Sequence, residues 1–244
     1  MKRPVLCLAL AALILVVLVA CKKDKDNDPT GPYVSEHIVP LRVGNQWTYV
    51  DFFYNRAGRD SSQSVLRNSD SINIDGEEVF FWNWSNQAED LNWLVSNRSD
   101  GMHTRGGMSS SDTLIVDNLK FKFPVQLNQP YASREVTYGS DTFSSYPCNY
   151  VCISNDTTFT TYMGTYHNCY VYTRNLDSLR TVDNNAYHGF LQQHGLPELV
   201  NGRPLSNIRI ICKPNIGYIG YLSYYDNNTL VYEKRLLNFT NVSP

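Results

Sequence analysis

Ser71-Ile72-Asn73-Ile74-Asp75-Gly76-Glu77-Glu78-Val79-Phe80-Phe81-Trp82 is the stretch that decides the fold class. Isoleucines alternate with polar residues before Asp75, and β-branched and aromatic residues dominate after Gly76. An Asp-Gly pair between two such runs is the strongest short hairpin signal, because the tight turns that match strand twist need residues tolerating positive φ. Outward from this hairpin the same grammar recurs. Gln46 to Tyr54 is aromatic and β-branched and ends at Asn55-Arg56-Ala57-Gly58, and Asp100-Gly101 repeats the turn device. Leu119, Phe121 and Phe123 alternate with Asn118, Lys120 and Lys122, which predicts a strand with one buried and one wet face. Asn168 to Arg174, Ile208 to Cys212, Gly217 to Tyr225 and Thr229 to Phe239 read as neighbouring antiparallel strands, the last two joined at Asp226-Asn227-Asn228. Turns about 8 to 12 residues apart predict an all-β, mainly antiparallel domain: a single curved sheet, sandwich or half-barrel. Asp183 to Asn207, broken by Gly189, Gly195, Pro197, Gly202 and Pro204, predicts one long loop with a single short helix near Phe190 to Gln193.

The N-terminus has a different character. Lys2 and Arg3 precede an apolar run from Val5 to Ala20 that is slightly shorter than a membrane span and has the form of a secretory leader. It closes on Leu18-Val19-Ala20-Cys21, which resembles the lipobox of bacterial lipoproteins. The resemblance implies a signal peptide over 1–20, acylation of Cys21 with palmitate or a similar fatty acid, and a membrane partner engaged through acyl chains. Several chains together give stable anchoring, each buried methylene contributing about 0.8 kcal/mol. Residues 21–32 carry charge without hydrophobic side chains and read as a solvated tether, leaving 33–244 for the β domain. Asp24, Asp26 and Asp28 alternate, but the turn glycine and distal glutamate of a calcium loop are missing. The tether resembles the lysine-and-acid-rich signals that send some lipoproteins to the cell exterior, and Lys22 rather than Asp after Cys21 implies outer-membrane delivery, with the side the domain faces left open.

Composition narrows the partners. Loss of Lys2 and Arg3 with the leader leaves 19 basic against 23 acidic residues, so nucleic acid is excluded as an expected partner. In an oxidising envelope compartment Cys148, Cys152, Cys169 and Cys212 are disulfide candidates. Cys169 and Cys212 read as core-facing and able to meet, which leaves Cys148 with Cys152 across a tight turn at Pro147 and Asn149; buried free thiols are the alternative.

Pro40-Leu41-Arg42-Val43-Gly44-Asn45-Gln46-Trp47-Thr48-Tyr49, Gly164-Thr165-Tyr166-His167-Asn168-Cys169-Tyr170-Val171-Tyr172 and Pro214-Asn215-Ile216-Gly217-Tyr218-Ile219 resemble three landmarks of a loose group of uncharacterised bacterial envelope lipoproteins. That group more often has Pro-Gly-Val-Gly at the last landmark, from which Asn215 departs. The resemblance implies an antiparallel curved-sheet domain and no known reaction.

Residue chemistry points the same way. His37, His103, His167, His188 and His194 fall in no zinc-ligand spacing, and no nucleophile elbow, phosphate loop or dinucleotide turn occurs. Glu77 with Glu78, or Asp141 with Asp156, would need the fold to make them an acid pair. No catalytic residue, metal site or cofactor is therefore assigned. Trp82 and Trp84 share one strand face, Trp93 lies on the next strand, and the three are binding candidates as a cross-strand cluster, with core packing as the competing reading. The expected function is a noncatalytic binding or structural domain for a glycan, lipid or envelope protein. A lipid or lipoprotein carrier is the alternative, and an envelope hydrolase stands behind it.

Overall fold

The computed structural model describes residues 37–55, 58–87, 90–139, 141–175, 199–200, 203–225 and 228–242. Thirteen strands are found there, and among the described residues there is no helix. In chain order they are β1 (Gln46–Asn55), β2 (Gly58–Ile74), β3 (Glu77–Trp84), β4 (Asn92–Arg98), β5 (Gly101–Met108), β6 (Thr113–Lys122) and β7 (Tyr131–Gly139). There follow β8 (Thr142–Thr161), β9 (Gly164–Asn175), β10 (Leu199–Val200), β11 (Arg203–Lys213), β12 (Gly217–Tyr225) and β13 (Leu230–Thr240). All ladders are antiparallel. The order β6-β5-β4-β3-β2-β1-β13-β12-β11-β9-β8-β7, with β10 beside β11, is an up-and-down meander whose ends are consecutive strands.

The all-β expectation therefore holds, and the sheet curves further than a half-barrel. β6 and β7 share no ladder, yet side chains sew them together. Asn118 Nδ2 donates to Arg134 O at 2.5 Å, Arg134 N donates to Asn118 Oδ1, and Ser133 Oγ donates to Leu119 O at 2.8 Å. Tyr131 OH adds a bond to Lys120 O at 3.0 Å. The result is a nearly closed barrel, a form that hides most of a sheet's unpaired edge.

Local sequence explains the turns. Asp75 and Gly76 have φ of 53° and 86°, the pair of positive values that the Asp-Gly hairpin requires. Gly101 has φ 141°, and a Cβ there would lie 2.0 Å from Phe121 O, so β5 and β6 approach only because that position has no side chain. The segment before β1 packs across one end of the barrel. Ile38 and Val39 are fully buried, Asn97 Nδ2 donates to Val39 O at 2.8 Å, and Asn215 N donates to His37 O at 3.4 Å. Trp47 is fully buried beside them, its Nε1 donating to Ile216 O at 2.5 Å and its ring stacked on Phe239 at 5.2 Å. Burying an aromatic side chain of this kind stabilises by about 1.5–3 kcal/mol.

Three expectations are corrected. The wet face predicted for β6 is largely buried, since Asn118 is 4% exposed and Lys120 turns to the carboxylate of Glu135 at 2.9 Å. Polar residues occupy it because the β6–β7 seam needs side-chain donors in place of a ladder. The tight turn joining Cys148 to Cys152 is absent, because β8 runs unbroken through both. Four residues of extended strand separate their Cα atoms by roughly 13 Å, beyond disulfide reach. Cys212 is opposite Tyr170 in the β9–β11 register, so it projects from the face of Tyr170 while Cys169 projects from the other. All four of these cysteines are buried, and no disulfide joins them. Strand also replaces part of the long loop, since Leu199–Val200 and Arg203–Lys213 pair with each other. The helix expected near Phe190 to Gln193, His188, His194, the leader with Cys21 and the charged tether lie outside the described residues.

Candidate functional site: an aromatic cavity inside the barrel

The β3–β4 register sets Trp82 directly opposite Trp93, and Trp84 is two residues along the same face of β3. The predicted cross-strand cluster exists, and it points inward. Trp82 and Trp93 are each 5% exposed, and both pack in the core while lining a cavity of about 80 Å³ together with Trp84. Core packing and site formation are thus not alternatives here. A ring of this many strands is wider than the eight that side chains readily fill, and this sequence fills most of it with aromatics. Trp47 lies edge-on to Trp82 at 6.2 Å, Tyr218 is 5.4 Å from Trp82, and Phe143 is edge-on to Trp93 at 5.5 Å.

The cavity lining runs from buried Met102 and Tyr150 out to exposed Asn86 in the β3–β4 turn. Three turns are tied together at that end. Ser110 N donates to Asp90 Oδ2 at 3.0 Å, Ser111 Oγ donates to Asp141 O at 3.0 Å, and Phe143 N donates to Asp112 Oδ2 at 2.6 Å. Trp93 Nε1 is held by Gln87 Oε1 at 2.8 Å. The end covered by Ile38 and Val39 lies across the barrel from these turns, at the β11–β12 connection.

Two buried charge groups face the cavity, and neither was anticipated from sequence. Lys234 on β13 pairs in register with Asp51 on β1. Its Nζ is 3.3 Å from Asp51 Oδ1, 3.0 Å from Ser64 Oγ and 3.8 Å from the centre of the Trp84 ring. Tyr232 OH donates to the same Asp51 oxygen at 2.5 Å. Burial pushes the Lys234 ammonium down to about 8, against the opposing attraction of Asp51. The second group is centred on Glu135, 2% exposed, which accepts from Lys120 Nζ at 2.9 Å, Arg174 Nη1 at 2.5 Å and Tyr150 OH at 3.1 Å. Burial also raises the phenols of Tyr49, Tyr150 and Tyr218, which stay protonated donors at neutral pH.

Among the carboxylates and histidines weighed as candidates, Glu77, Glu78, His103 and His167 are engaged structurally. Glu77 takes both Arg98 nitrogens at 2.8 and 2.7 Å, and Arg98 also holds Asp117 at 2.8 Å. These contacts hold Glu77 below the usual carboxylate range, with the Arg98 hydrogen bond as the largest cause. Glu78, its neighbour, projects from the opposite strand face and accepts from Ser71 Oγ at 3.1 Å, so the two do not form an acid pair. His103 lies between Asp117 and Asp100 at 3.0 and 2.9 Å, and His167 contacts Thr158 at 3.0 Å. Among the described residues no three His, Cys, Asp or Glu side chains converge as a metal-ligand set.

Fold and interior together define a class: an antiparallel meander barrel with an aromatic, charge-bearing cavity. No protein-family model matches the sequence, and no curated protein is similar enough to match. Two solved structures resemble it. One is a candidate exported protein with YmcC-like fold from Bacteroides fragilis NCTC 9343, at 10% identity and TM-score 0.39, covering 83% of this chain and 98% of that one. The other is a candidate lipoprotein from Parabacteroides distasonis ATCC 8503, at 11% identity and TM-score 0.43, covering 84% of this chain and 98% of that one.

Proposed function

We propose that this chain is a lipid-anchored protein of the bacterial outer envelope whose barrel is a noncatalytic binding domain, with the interior cavity as its ligand site. The cavity carries the binding reading. A void of about 80 Å³ walled by Trp82, Trp84 and Trp93, with Lys120, Glu135 and Lys234 also on its lining, combines apolar body contacts with a few fixed polar groups. That mixture characterises small-molecule sites. Its size favours a compact ligand or one ring of a larger one, since a water needs roughly 10–15 Å³ on the same measure. A whole acyl chain is too large for the cavity in this form, which favours binding over bulk lipid carriage. The envelope reading is supported by the sequence Leu18-Val19-Ala20-Cys21 behind its charged, apolar leader.

Three of the four tryptophans line the cavity, so intrinsic fluorescence reports its occupancy directly. Titration with small sugars, aromatic acids and carbonyl compounds is expected to shift the emission and raise the melting temperature for at least one class. A protein whose emission and melting temperature ignore every probe, and which native mass spectrometry shows empty, refutes the ligand-site reading. Fatty-acid labelling of the full chain and of Cys21→Ala tests the anchor separately; equal labelling of both refutes it.

A further inference from the structure

Lys234 is an unusual wall residue. Its amine borders the cavity with the side chain 12% exposed, and its immediate surroundings are Asp51 and Tyr49 on β1, Ser64 on β2, Trp84 on β3 and Tyr232 on its own strand. Lys120, Glu135 and Tyr221 also line the same space. An amine in such a place has a carboxylate beside it to receive a proton and to neutralise whatever cation is later formed on nitrogen. It also has an aromatic face 3.8 Å away that favours a delocalised cation. Its water-poor aromatic surroundings suit an apolar partner.

We propose that the cavity takes an apolar aldehyde or ketone and holds it reversibly as a Schiff base on Lys234 Nζ, the body of the ligand resting against Trp84 and its neighbouring tryptophans. The proposal rests on the interior being the ligand site and names the ligand's chemical class. The neutral amine's lone pair attacks the carbonyl carbon, giving a carbinolamine. The C–O bond then breaks as the C=N bond forms, and the carbonyl oxygen leaves as water with the two hydrogens the amine nitrogen gives up. No electrons are gained or lost, and hydrolysis reverses the step. Starting from the ammonium, the product is an iminium of the same charge, so the pairing with Asp51 is kept. Tyr232, donating to the Asp51 oxygen that faces Lys234, fixes that carboxylate in position. Burial lowers the Lys234 ammonium to about 8, so a much larger fraction is the reactive free base at neutral pH than for an exposed lysine.

The test uses the full chain, benzaldehyde as probe, and borohydride to fix the imine as a stable benzylamine. Peptide mapping is expected to place the benzyl group on Lys234 at least about tenfold faster than on any other lysine. Lys234→Arg, which keeps the cation and the pairing with Asp51, is expected to abolish this fast labelling while its melting temperature stays close to that of the unaltered protein. Benzyl alcohol, which cannot form an imine, is expected to slow the labelling by occupying the same space. Labelling spread evenly over the lysines, or unchanged in Lys234→Arg, overturns the proposal. Benzyl alcohol that shifts tryptophan emission while benzaldehyde leaves Lys234 unlabelled would remove the Schiff base and keep the ligand site. If neither probe affects emission or labelling, the Schiff base falls, and the ligand site falls with it only when the wider titration and native mass spectrometry also find the interior empty.

Discussion

Asn118→Leu removes the side chain that makes two of the bonds sewing β6 to β7, while roughly preserving its volume. Asn118 is 4% exposed, donates to Arg134 O at 2.5 Å and accepts from Arg134 N, standing in for one rung of the ladder that β6 and β7 lack. Each of the two bonds contributes about 1 kcal/mol net, and stranding the Arg134 N–H and C=O in a partly buried seam costs roughly 1–3 kcal/mol more. The expected destabilisation is about 3–5 kcal/mol, which for a domain of this size lowers the melting temperature by roughly 6–20 °C. Urea unfolding followed by circular dichroism gives the first number. Hydrogen exchange gives the location, since protection should fall first at Thr113–Lys122 and Tyr131–Gly139, the strands that flank the seam. A loss below about 1 kcal/mol, or protection unchanged in those strands, would show that the seam is held by something other than Asn118 and refute the reasoning.

The other predictions concern the interior. Glu135→Ala leaves Lys120 and Arg174 facing each other without the carboxylate they share, and should cost about 3–5 kcal/mol in denaturant unfolding; a loss near zero would mean that the group is solvated. Lys234 titrates near 8 in the fold and about 10.4 when unfolded, so the unfolded state binds more protons between those values and stability rises with pH through that window. The stability difference between the unaltered protein and Lys234→Met should therefore shift by a few kcal/mol in favour of the former from pH 8 to pH 10, and should be flat below pH 7. Burial raises the thiols of Cys148, Cys152 and Cys212, so alkylation with peptide mapping should modify these and Cys169 only after unfolding. Any of the four that stays unmodified in the unfolded, unreduced protein would reveal a disulfide.

Much of the fold was legible because strand formation leaves a local record. The Asp75-Gly76 hairpin, Gly217 to Tyr225 as one strand and its pairing with the strand after it can all be read from residues a few positions apart. β8 was hidden, since Pro147 and Asn149 carry turn chemistry, yet the strand passes through both. There neighbours on β7 and β9 override local preference, as is common for strands. The candidate site was half legible. The tryptophans announced themselves by parity and size, whereas the charged residues facing them did not. Lys234 sits between Glu233 and Arg235 and looks like part of a wet edge until the register sets it opposite Asp51.

By itself, then, the sequence determined an antiparallel β domain with a tryptophan cluster, because period-two alternation, turn dipeptides and aromatic content act over short distances. Only the tertiary structure decided that the sheet closes at Asn118, that the tryptophans line a cavity, and that Lys234 meets Asp51 across strands 183 residues apart in the chain. Those outcomes depend on which strands become neighbours and on the curvature of the whole ring, and nothing in the alternation of a single strand encodes either.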